Sequence, residues 1–220
     1  MEKYIEKFIR YLEIEKNYSK HTVLNYRLDL ENFKRFLGDA PIENTDYLSL
    51  RKYLAVLKEK NLVARTVNRK LSSLRSFFKF LVRDGYLKTN PTLTLSSPKQ
   101  NKHLPSFLTE DEVMALIEAA SAKDERGLRD RAILEVFYST GIRISELVGL
   151  SLKDIDFIGG IVKVMGKGKK ERIVPIGDAA IARIRAYLEN RKKQSEALFL
   201  NKNGRRITDR GVRNIVEKYI

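Results

Sequence analysis

Three groups of residues, each containing lysine or arginine, have the spacing expected of a surface that binds phosphate. The first group, which we call the basic stripe, consists of Arg65, Arg69, Ser72, Ser76, Lys79 and Arg83. Steps of three and four residues place them on one face of a helix. Long cations reach phosphate oxygens, and a serine allows close approach and donates a hydrogen bond. A solvated helix face has the same pattern, so the stripe alone leaves both interpretations open.

The second group is Arg143 and Glu146, which follow a Thr-Gly turn at 140–141. Their separation of three residues puts them on one face at the start of a predicted helix. A guanidinium can bind two phosphate oxygens at once, and a carboxylate can fix its direction. Without further context, an ordinary intrahelical ion pair remains the simpler interpretation.

The third group lies in a turn at 166–170, between two segments that alternate as strands. Glycines on both sides of Lys167 make the turn narrow, so that its ammonium projects and could enter a groove. Lys169, Lys170 and Arg172 add positive charge beside it. A lysine in a hairpin turn is also commonly no more than solvent-exposed.

Four amphipathic helices are predicted in residues 1–91, which we interpret as a small helical domain. Ser19 is a candidate N-cap and Gly38 a stop for the second helix. The apolar positions of the four helices are Ile5, Phe8, Ile9 and Leu12; Val23, Tyr26, Leu30, Phe33 and Leu37; Leu50, Tyr53, Leu54 and Leu57; and Val67, Leu71, Leu74, Phe78 and Leu81. Residues 92–106 lack periodicity and contain two prolines, which predicts an interdomain linker.

Residues 107–220 mix helices with a small sheet. Thr109 and Glu112 form a candidate capping box for a helix to about Ala120, and a further helix is expected at about 129–138. Strands are predicted at 161–165, 172–176 and 198–200, and helices at 178–190 and after a cap at Thr208. The predicted fold class is therefore mainly α with a small antiparallel β-sheet (α+β).

The composition favours a polyanionic partner. The 220 residues include 43 Lys+Arg against 28 Asp+Glu, a net charge of +15 that both halves share, and nucleic acid is the commonest such partner. The absence of cysteine excludes disulfides and a cysteine zinc site. No apolar run reaches the ~20 residues of a membrane span, and the first residues lack the layout of a signal peptide. We therefore expect a cytoplasmic protein with no membrane association.

Taken together, these motifs resemble the Xer-type tyrosine recombinases, relatives of the phage integrases. Residues 129–134 and 140–150 resemble the first arginine box of that family, and Gly166, Lys167, Gly168, Lys170, Glu171, Arg172, Val174 and Pro175 resemble its catalytic-lysine hairpin. The first half resembles the core-binding domain at Ser19, Thr22, Tyr26, Asp29, Leu30, Phe33, Thr66, Arg69, Leu71, Arg75, Phe77, Phe80, Leu81, Asn90 and Pro91. The resemblance spans essentially the whole chain, with the motifs in the family's order.

The resemblance implies cleavage and rejoining of double-stranded DNA through a 3′-phosphotyrosyl intermediate, without a metal or other cofactor. On this basis Arg143 neutralises charge on the phosphoryl transition state and Lys167 acts as general acid. Glu146 supports the active site. The candidate DNA-binding residues are Arg65, Arg69, Ser72, Ser76, Lys79, Lys169, Lys170 and Arg172. Family members act as tetramers on two DNA sites, in integration, plasmid resolution, inversion or chromosome-dimer resolution, and the resemblance leaves these roles open.

One part of the family pattern has no counterpart in these 220 residues. The family continues with a His-x-x-Arg box and then the tyrosine nucleophile, whereas His21 and His103 lie in the first helical block and the linker. We expect Tyr138 to be a core residue and Tyr219 to precede the missing box, so neither is a nucleophile candidate. Residues 107–220 are therefore interpreted as a partial catalytic domain.

Three interpretations follow from this pattern. The chain is a recombinase without its catalytic C-terminus, which binds DNA but does not cleave it alone. Alternatively, it is a naturally short, non-catalytic protein that occupies or competes for recombination sites. The third interpretation is a basic helical protein that binds RNA or DNA without specificity. This last interpretation leaves the arginine box and the lysine hairpin unexplained together.

Overall fold

The computed structural model describes residues 1–99, 107–166 and 170–220. The chain divides into two compact units, Met1–Leu104 and Pro105–Ile220. Within the described residues, no helix combines the length and the apolar character needed to cross a membrane. The architecture is α+β, with helices throughout and one three-stranded antiparallel sheet in the second unit.

The first unit contains the four predicted helices. They are α1 (Glu2–Ile14), α2 (Lys20–Leu37), α3 (Tyr47–Glu59) and α4 (Ala64–Arg83), with a short 3₁₀ helix at Ile42–Asn44. Ser19 caps α2 as expected, because its side chain accepts a hydrogen bond from the Thr22 N–H. Asp46 caps α3 in the same way through the Ser49 N–H. Polar caps therefore set where these two helices begin.

The core of the first unit is rich in aromatic rings. Phe8, Phe33, Phe77 and Phe78 are all fully buried, and the Phe8 and Phe77 rings meet edge to face with centroids 5.3 Å apart. The apolar positions predicted for α1 are buried, as are all those predicted for α4. Burial of these stripes is what holds the four helices together.

The segment that follows α4 packs on the first unit. Leu95 is buried in its core, and the Arg75 guanidinium donates to the Leu95 carbonyl and to Ser97 Oγ. The Asn68 side chain donates to the carbonyl of Pro98. Residues 92–98, which the sequence assigned to a linker, thus contact α4, while residues 100–106 lie outside the described part of the chain.

The second unit is built around α6. Its elements are α5 (Glu110–Glu118), α6 (Glu125–Thr140), α7 (Ile144–Gly149), a 3₁₀ helix at Leu152–Asp154, β1 (Ile155–Asp156), β2 (Ile161–Met165), β3 (Glu171–Pro175), α8 (Asp178–Asn190) and α9 (Asp209–Tyr219). The sheet order is β1-β2-β3. The Thr109–Glu112 capping box and the Thr208 cap are both present. The two predicted hairpin strands are confirmed to within one residue.

Three details differ from the prediction. Residues 198–200 do not form a strand, because Leu200 makes only an isolated bridge to Arg206. The two-residue strand β1 was not predicted, since two residues carry no periodicity. Helix α6 begins four residues earlier than expected, because the Asp124 side chain accepts from the Gly127 N–H and caps it there.

Helix α6 is enclosed on all sides over residues 130–136. Asp130, Arg131 and Glu135 are buried along with the apolar positions, so charged residues of this stretch lie in the interior as well as apolar ones. Tyr138, expected in the core, is instead half exposed. The enclosure ends before this residue, in the last turn of the helix.

Candidate active site and nucleic-acid interface

The end of α6 determines where Arg143 lies. Gly141 has φ of +58°, the left-handed conformation that glycine adopts without strain, and its N–H donates to the Phe137 carbonyl. The chain then reverses, Ile142 is buried, and Arg143 stands at the N-cap of α7. The side chain of Arg143 is 68% exposed. The turn therefore presents a guanidinium to solvent from a fixed backbone.

The buried side chain of Glu146 stabilises this turn through hydrogen bonds with Arg143. Its side chain is 2% exposed, and one carboxylate oxygen accepts from the Arg143 backbone N–H at 2.7 Å. The other oxygen accepts from Arg143 Nη1 at 3.2 Å. Glu146 thus contacts both the backbone and the guanidinium of Arg143, and the predicted contact at a separation of three residues is present.

Arg172 is the second cation at Glu146. Its Nη1 and Nη2 donate to the two carboxylate oxygens at 2.5 and 2.9 Å. Arg172 and Glu146 thus form a bidentate salt bridge, whereas the side chain of Arg143 makes a single, longer hydrogen bond to Glu146. Burial acts to raise the pKa of Glu146, but the hydrogen bonds from Arg172 and from the Arg143 backbone outweigh it and hold the pKa below its usual value. Glu146 is therefore a buried, ionised carboxylate.

The register of the hairpin explains why Arg172 faces Glu146. Arg172 on β3 lies opposite Val164 on β2, and the side chains of Val162 and Val164 are buried on that face of the sheet. Alternate residues of a strand share a face, so Arg172 lies on the inward side, whereas Ile173 is exposed. The assignment of Arg172 as a DNA-binding residue stays a prediction, and the structure shows both of its terminal nitrogens bound to Glu146.

The base of the predicted lysine turn is described, but its tip is not. The Gly166 N–H donates to the Lys170 carbonyl at 2.8 Å, and Lys170 is exposed. Lys167 and Lys169, the candidate general acid and a candidate DNA-binding residue, lie outside the described residues.

In the first unit, the basic stripe follows the outer face of α4. Arg65, Arg69, Ser72 and Lys79 are exposed and Ser76 is partly exposed. Ser72 Oγ donates to the Asn68 carbonyl, and the hydroxyls of Ser76 and Tyr26 share a hydrogen bond. The Arg83 guanidinium lies over the Tyr11 ring, 4.1 Å from its centroid.

A buried carboxylate lies beneath this stripe. Asp29 on α2 is 1% exposed and accepts from Arg69 Nη1 at 2.5 Å, Lys70 Nζ at 3.2 Å and Ser73 Oγ at 2.8 Å. Lys70 is itself buried, whereas Arg69 is about half exposed. Asp29 was noted in the sequence only as part of a family pattern. Its position three residues after Tyr26 and four residues before Phe33, two apolar positions of α2, was the available signal.

The two tyrosines considered in the sequence differ in their surroundings. The Tyr219 hydroxyl donates to the carboxylate of Asp130 at 3.2 Å and accepts from Lys218. Tyr138 is exposed on α6, five residues before Arg143 in the chain. Neither side chain belongs to the cluster of Arg143, Glu146 and Arg172.

Comparison with family models defines the class of the protein. Residues 106–220 match the model of the phage integrase family, and residues 5–85 match the model of the phage integrase N-terminal SAM-like domain. These two regions coincide with the two units of the structure.

Similar curated proteins narrow the class further. The chain is 43% identical to tyrosine recombinase XerC of Halalkalibacterium halodurans, over 99% of this chain and 76% of that protein. It is 46% identical to tyrosine recombinase XerC of Thermodesulfovibrio yellowstonii, over 98% of this chain and 74% of that protein. The chain therefore belongs to the phage integrase family, as a tyrosine recombinase of the Xer type.

Solved structures agree with this fold. A structure of lambda integrase residues 75–356, a dimer bound to a COC′ core site, matches with a TM-score of 0.77 at 19% identity, covering 100% of this chain and 80% of that chain. A structure of the Tn1549 transposon integrase in complex with transposon right end DNA matches with a TM-score of 0.80 at 21% identity, covering 98% and 78%.

Proposed function

We propose that this protein is a site-specific recombinase that cleaves and rejoins double-stranded DNA through a 3′-phosphotyrosyl intermediate. The observation that carries the proposal is the exposed guanidinium of Arg143, which a buried carboxylate holds at the base of the hairpin that carries Lys167. Membership of the tyrosine recombinases and the DNA-bound integrases of the same fold support it.

In this proposal the reaction exchanges one phosphoester for another. A tyrosine oxygen attacks the scissile phosphorus, the bond to the 5′ oxygen breaks, and that oxygen leaves with a proton as a free hydroxyl. Arg143 stabilises the negative charge of the phosphoryl group in the transition state. Lys167 supplies the proton to the leaving oxygen.

We further propose that these 220 residues bind DNA without cleaving it by themselves. None of the ten tyrosines lies in a context that matches the family nucleophile, and the Tyr219 hydroxyl is bonded to Asp130. The test is a suicide substrate, a nicked duplex that traps covalent protein–DNA adducts. We expect binding with no adduct, and any adduct formed by this chain alone contradicts this part of the proposal.

The DNA contacts are assigned to both units. The candidates in the first unit are Arg65, Arg69, Ser72, Ser76 and Lys79, and in the second Lys169 and Lys170. Arg172 is not given a direct DNA contact in this proposal, because both of its terminal nitrogens donate to Glu146, whereas Arg69 donates to Asp29 through Nη1 and its side chain is 45% exposed. Family members assemble on two DNA sites, and a lambda integrase tetramer bound to a Holliday junction has the same fold, with a TM-score of 0.76. We propose the same type of assembly for this recombinase.

Binding through phosphates makes affinity depend on salt. The logarithm of affinity falls against the logarithm of salt concentration with a slope of about −0.9 per neutralised phosphate. We expect Arg65→Ala and Arg69→Ala to reduce the magnitude of the slope by about one phosphate each and to weaken binding on unrelated sequences alike. Unchanged dissociation constants in both variants would remove α4 from the interface.

A further inference from the structure

The cluster of Arg143, Glu146 and Arg172 contains two cations and one buried anion. Both oxygens of Glu146 are used by Arg172, in a two-pronged pairing at 2.5 and 2.9 Å. Arg143 contributes its backbone N–H and one guanidinium nitrogen at 3.2 Å. The cluster therefore has a net charge of one positive unit, and its exposed member is Arg143, at 68% against 39% for Arg172.

A carboxylate that positions Arg143 also weakens the attraction of Arg143 for a phosphate group. A buried anion within hydrogen-bonding distance cancels much of the attraction that the guanidinium offers to a phosphoryl group. A pair made of Arg143 and Glu146 alone would present an almost neutral surface to the DNA. A second cation on the same carboxylate restores the positive charge without disturbing the contact that orients the turn.

We infer that Arg172 is a positioning residue that neutralises Glu146, so that Glu146 orients Arg143 while the positive charge of Arg143 stays available to a phosphodiester. The inference rests on the proposed function for the identity of the anion. It differs from a direct DNA contact by Arg172, because the effect of Arg172 is exerted through Glu146.

The close approach of the backbone supports this arrangement. Gly166 on the neighbouring strand end lies against the pair, and a Cβ added there would come within 3.3 Å of Arg172 Nη1 and 3.7 Å of a Glu146 carboxylate oxygen. The Arg172–Glu146 pair therefore lies next to the backbone at Gly166, where β2 ends. Arg172 reaches Glu146 because the register places it on the inward face, opposite the buried Val164.

The test is a set of variants measured for the salt dependence of binding to a duplex DNA of about 30 base pairs. In Arg172→Gln, we expect Glu146 to pair with Arg143 alone and to neutralise it. The magnitude of the slope of log affinity against log salt should then fall by about 0.9, so that the loss of affinity between 50 and 200 mM salt is about 3.5-fold smaller than in the wild-type protein. Adding Arg143→Gln should then cause no further loss. Adding Glu146→Gln to Arg172→Gln should restore the slope, because no carboxylate remains to capture Arg143.

A direct contact by Arg172 predicts a different pattern. The loss in Arg172→Gln would then persist after Glu146→Gln, and Arg143→Gln would add a second loss of similar size. Either result overturns the inference. Arg172→Lys retains the positive charge, and we expect it to keep most of the slope. Circular dichroism and thermal unfolding identify any variant that fails to fold, and the Glu146→Gln/Arg172→Gln pair leaves no buried charge unpaired.

A second measurement needs no DNA. The pKa of the Glu146 carboxylate, measured by carbon NMR, should be higher in Arg172→Gln than in the wild-type protein. Burial raises this pKa, and the hydrogen bonds from Arg172 that oppose the effect of burial are removed in the variant. Arg185→Gln, which removes a cation bonded to the Phe157 carbonyl, is the matched control and should leave the titration unchanged. An unchanged Glu146 titration in Arg172→Gln overturns the inference. A chain that shows this shift but does not bind DNA instead contradicts the proposed function.

Discussion

Replacing Asp29 by asparagine should destabilise the first unit strongly. The change removes a charge from a carboxylate that is 1% exposed and bonded to Arg69, Lys70 and Ser73. Removing one partner of a buried ion pair costs about 3–5 kcal/mol. Arg69 is half exposed and can be solvated again, but the Lys70 side chain is 10% exposed and cannot. We therefore expect the low end of this range, about 3 kcal/mol.

Hydrogen exchange followed by mass spectrometry measures this loss within the intact chain, because peptides of α2 and α4 are read separately from those of the second unit. We expect the free energy of opening to fall by about 3 kcal/mol in α2 and α4 and to be unchanged in α6 and α8. Ser73→Ala, which removes one hydrogen bond to the same carboxylate, should cost about 1.5 kcal/mol.

A double variant separates charge from packing. Asp29→Leu combined with Lys70→Met removes both buried charges, and apolar replacement of a buried ion pair is often neutral or stabilising. We expect it to be more stable than Asp29→Asn. A loss below about 1 kcal/mol in Asp29→Asn, or a double variant less stable than the single one, would refute the reasoning.

Three further predictions concern the second unit. Gly141→Ala should cost about 1 kcal/mol in urea unfolding, because the left-handed conformation at φ +58° disfavours a Cβ although nothing lies within 4 Å of it; an unchanged midpoint contradicts this. Gly127→Ala should cost more than Gly141→Ala, because a Cβ there would clash with the Ser121 carbonyl oxygen; an equal or smaller loss contradicts it. Because the folded-state pKa of Glu146 is lowered, its ionised form adds stability above its ordinary pKa of about 4.5, and this stability is lost as pH falls through the folded-state value. The stability gap between the wild-type protein and Glu146→Gln should therefore narrow below about pH 4.5, and a gap that widens there contradicts the assignment.

The helices of the first unit were predictable because their burial is one-sided. In α4 the apolar positions alternate by three and four residues, and each of them is buried. In α6 the apolar periodicity predicted a helix over about 129–138, which is confirmed, but it did not predict the first turn or the burial of charged residues. The middle of α6 is enclosed on all sides, and the charged residues Asp130, Arg131 and Glu135 are buried there, whereas an amphipathic pattern places charged residues on the solvent face.

The candidate site was predictable only where its contacts are local. Arg143 and Glu146 are three residues apart, and a helix brings such a pair together whatever surrounds it. Arg172 lies 26 residues after Glu146, and its contact depends on the register of β2 and β3. The alternation that places Arg172 and Val174 on one face was present in the sequence, but the position of Glu146 relative to that face was not.

The most direct test of the proposed function is a footprint of this chain on DNA. A duplex selected from a random library, probed by hydroxyl radicals and by ethylation of single phosphates, reports which phosphates the protein covers. We predict a defined protected segment, in which ethylation of particular phosphates blocks binding and Arg65→Ala or Arg69→Ala removes some of these positions. Uniform protection along the duplex would contradict specific binding. An interference pattern that is unchanged from the wild-type protein in both variants would contradict binding through α4.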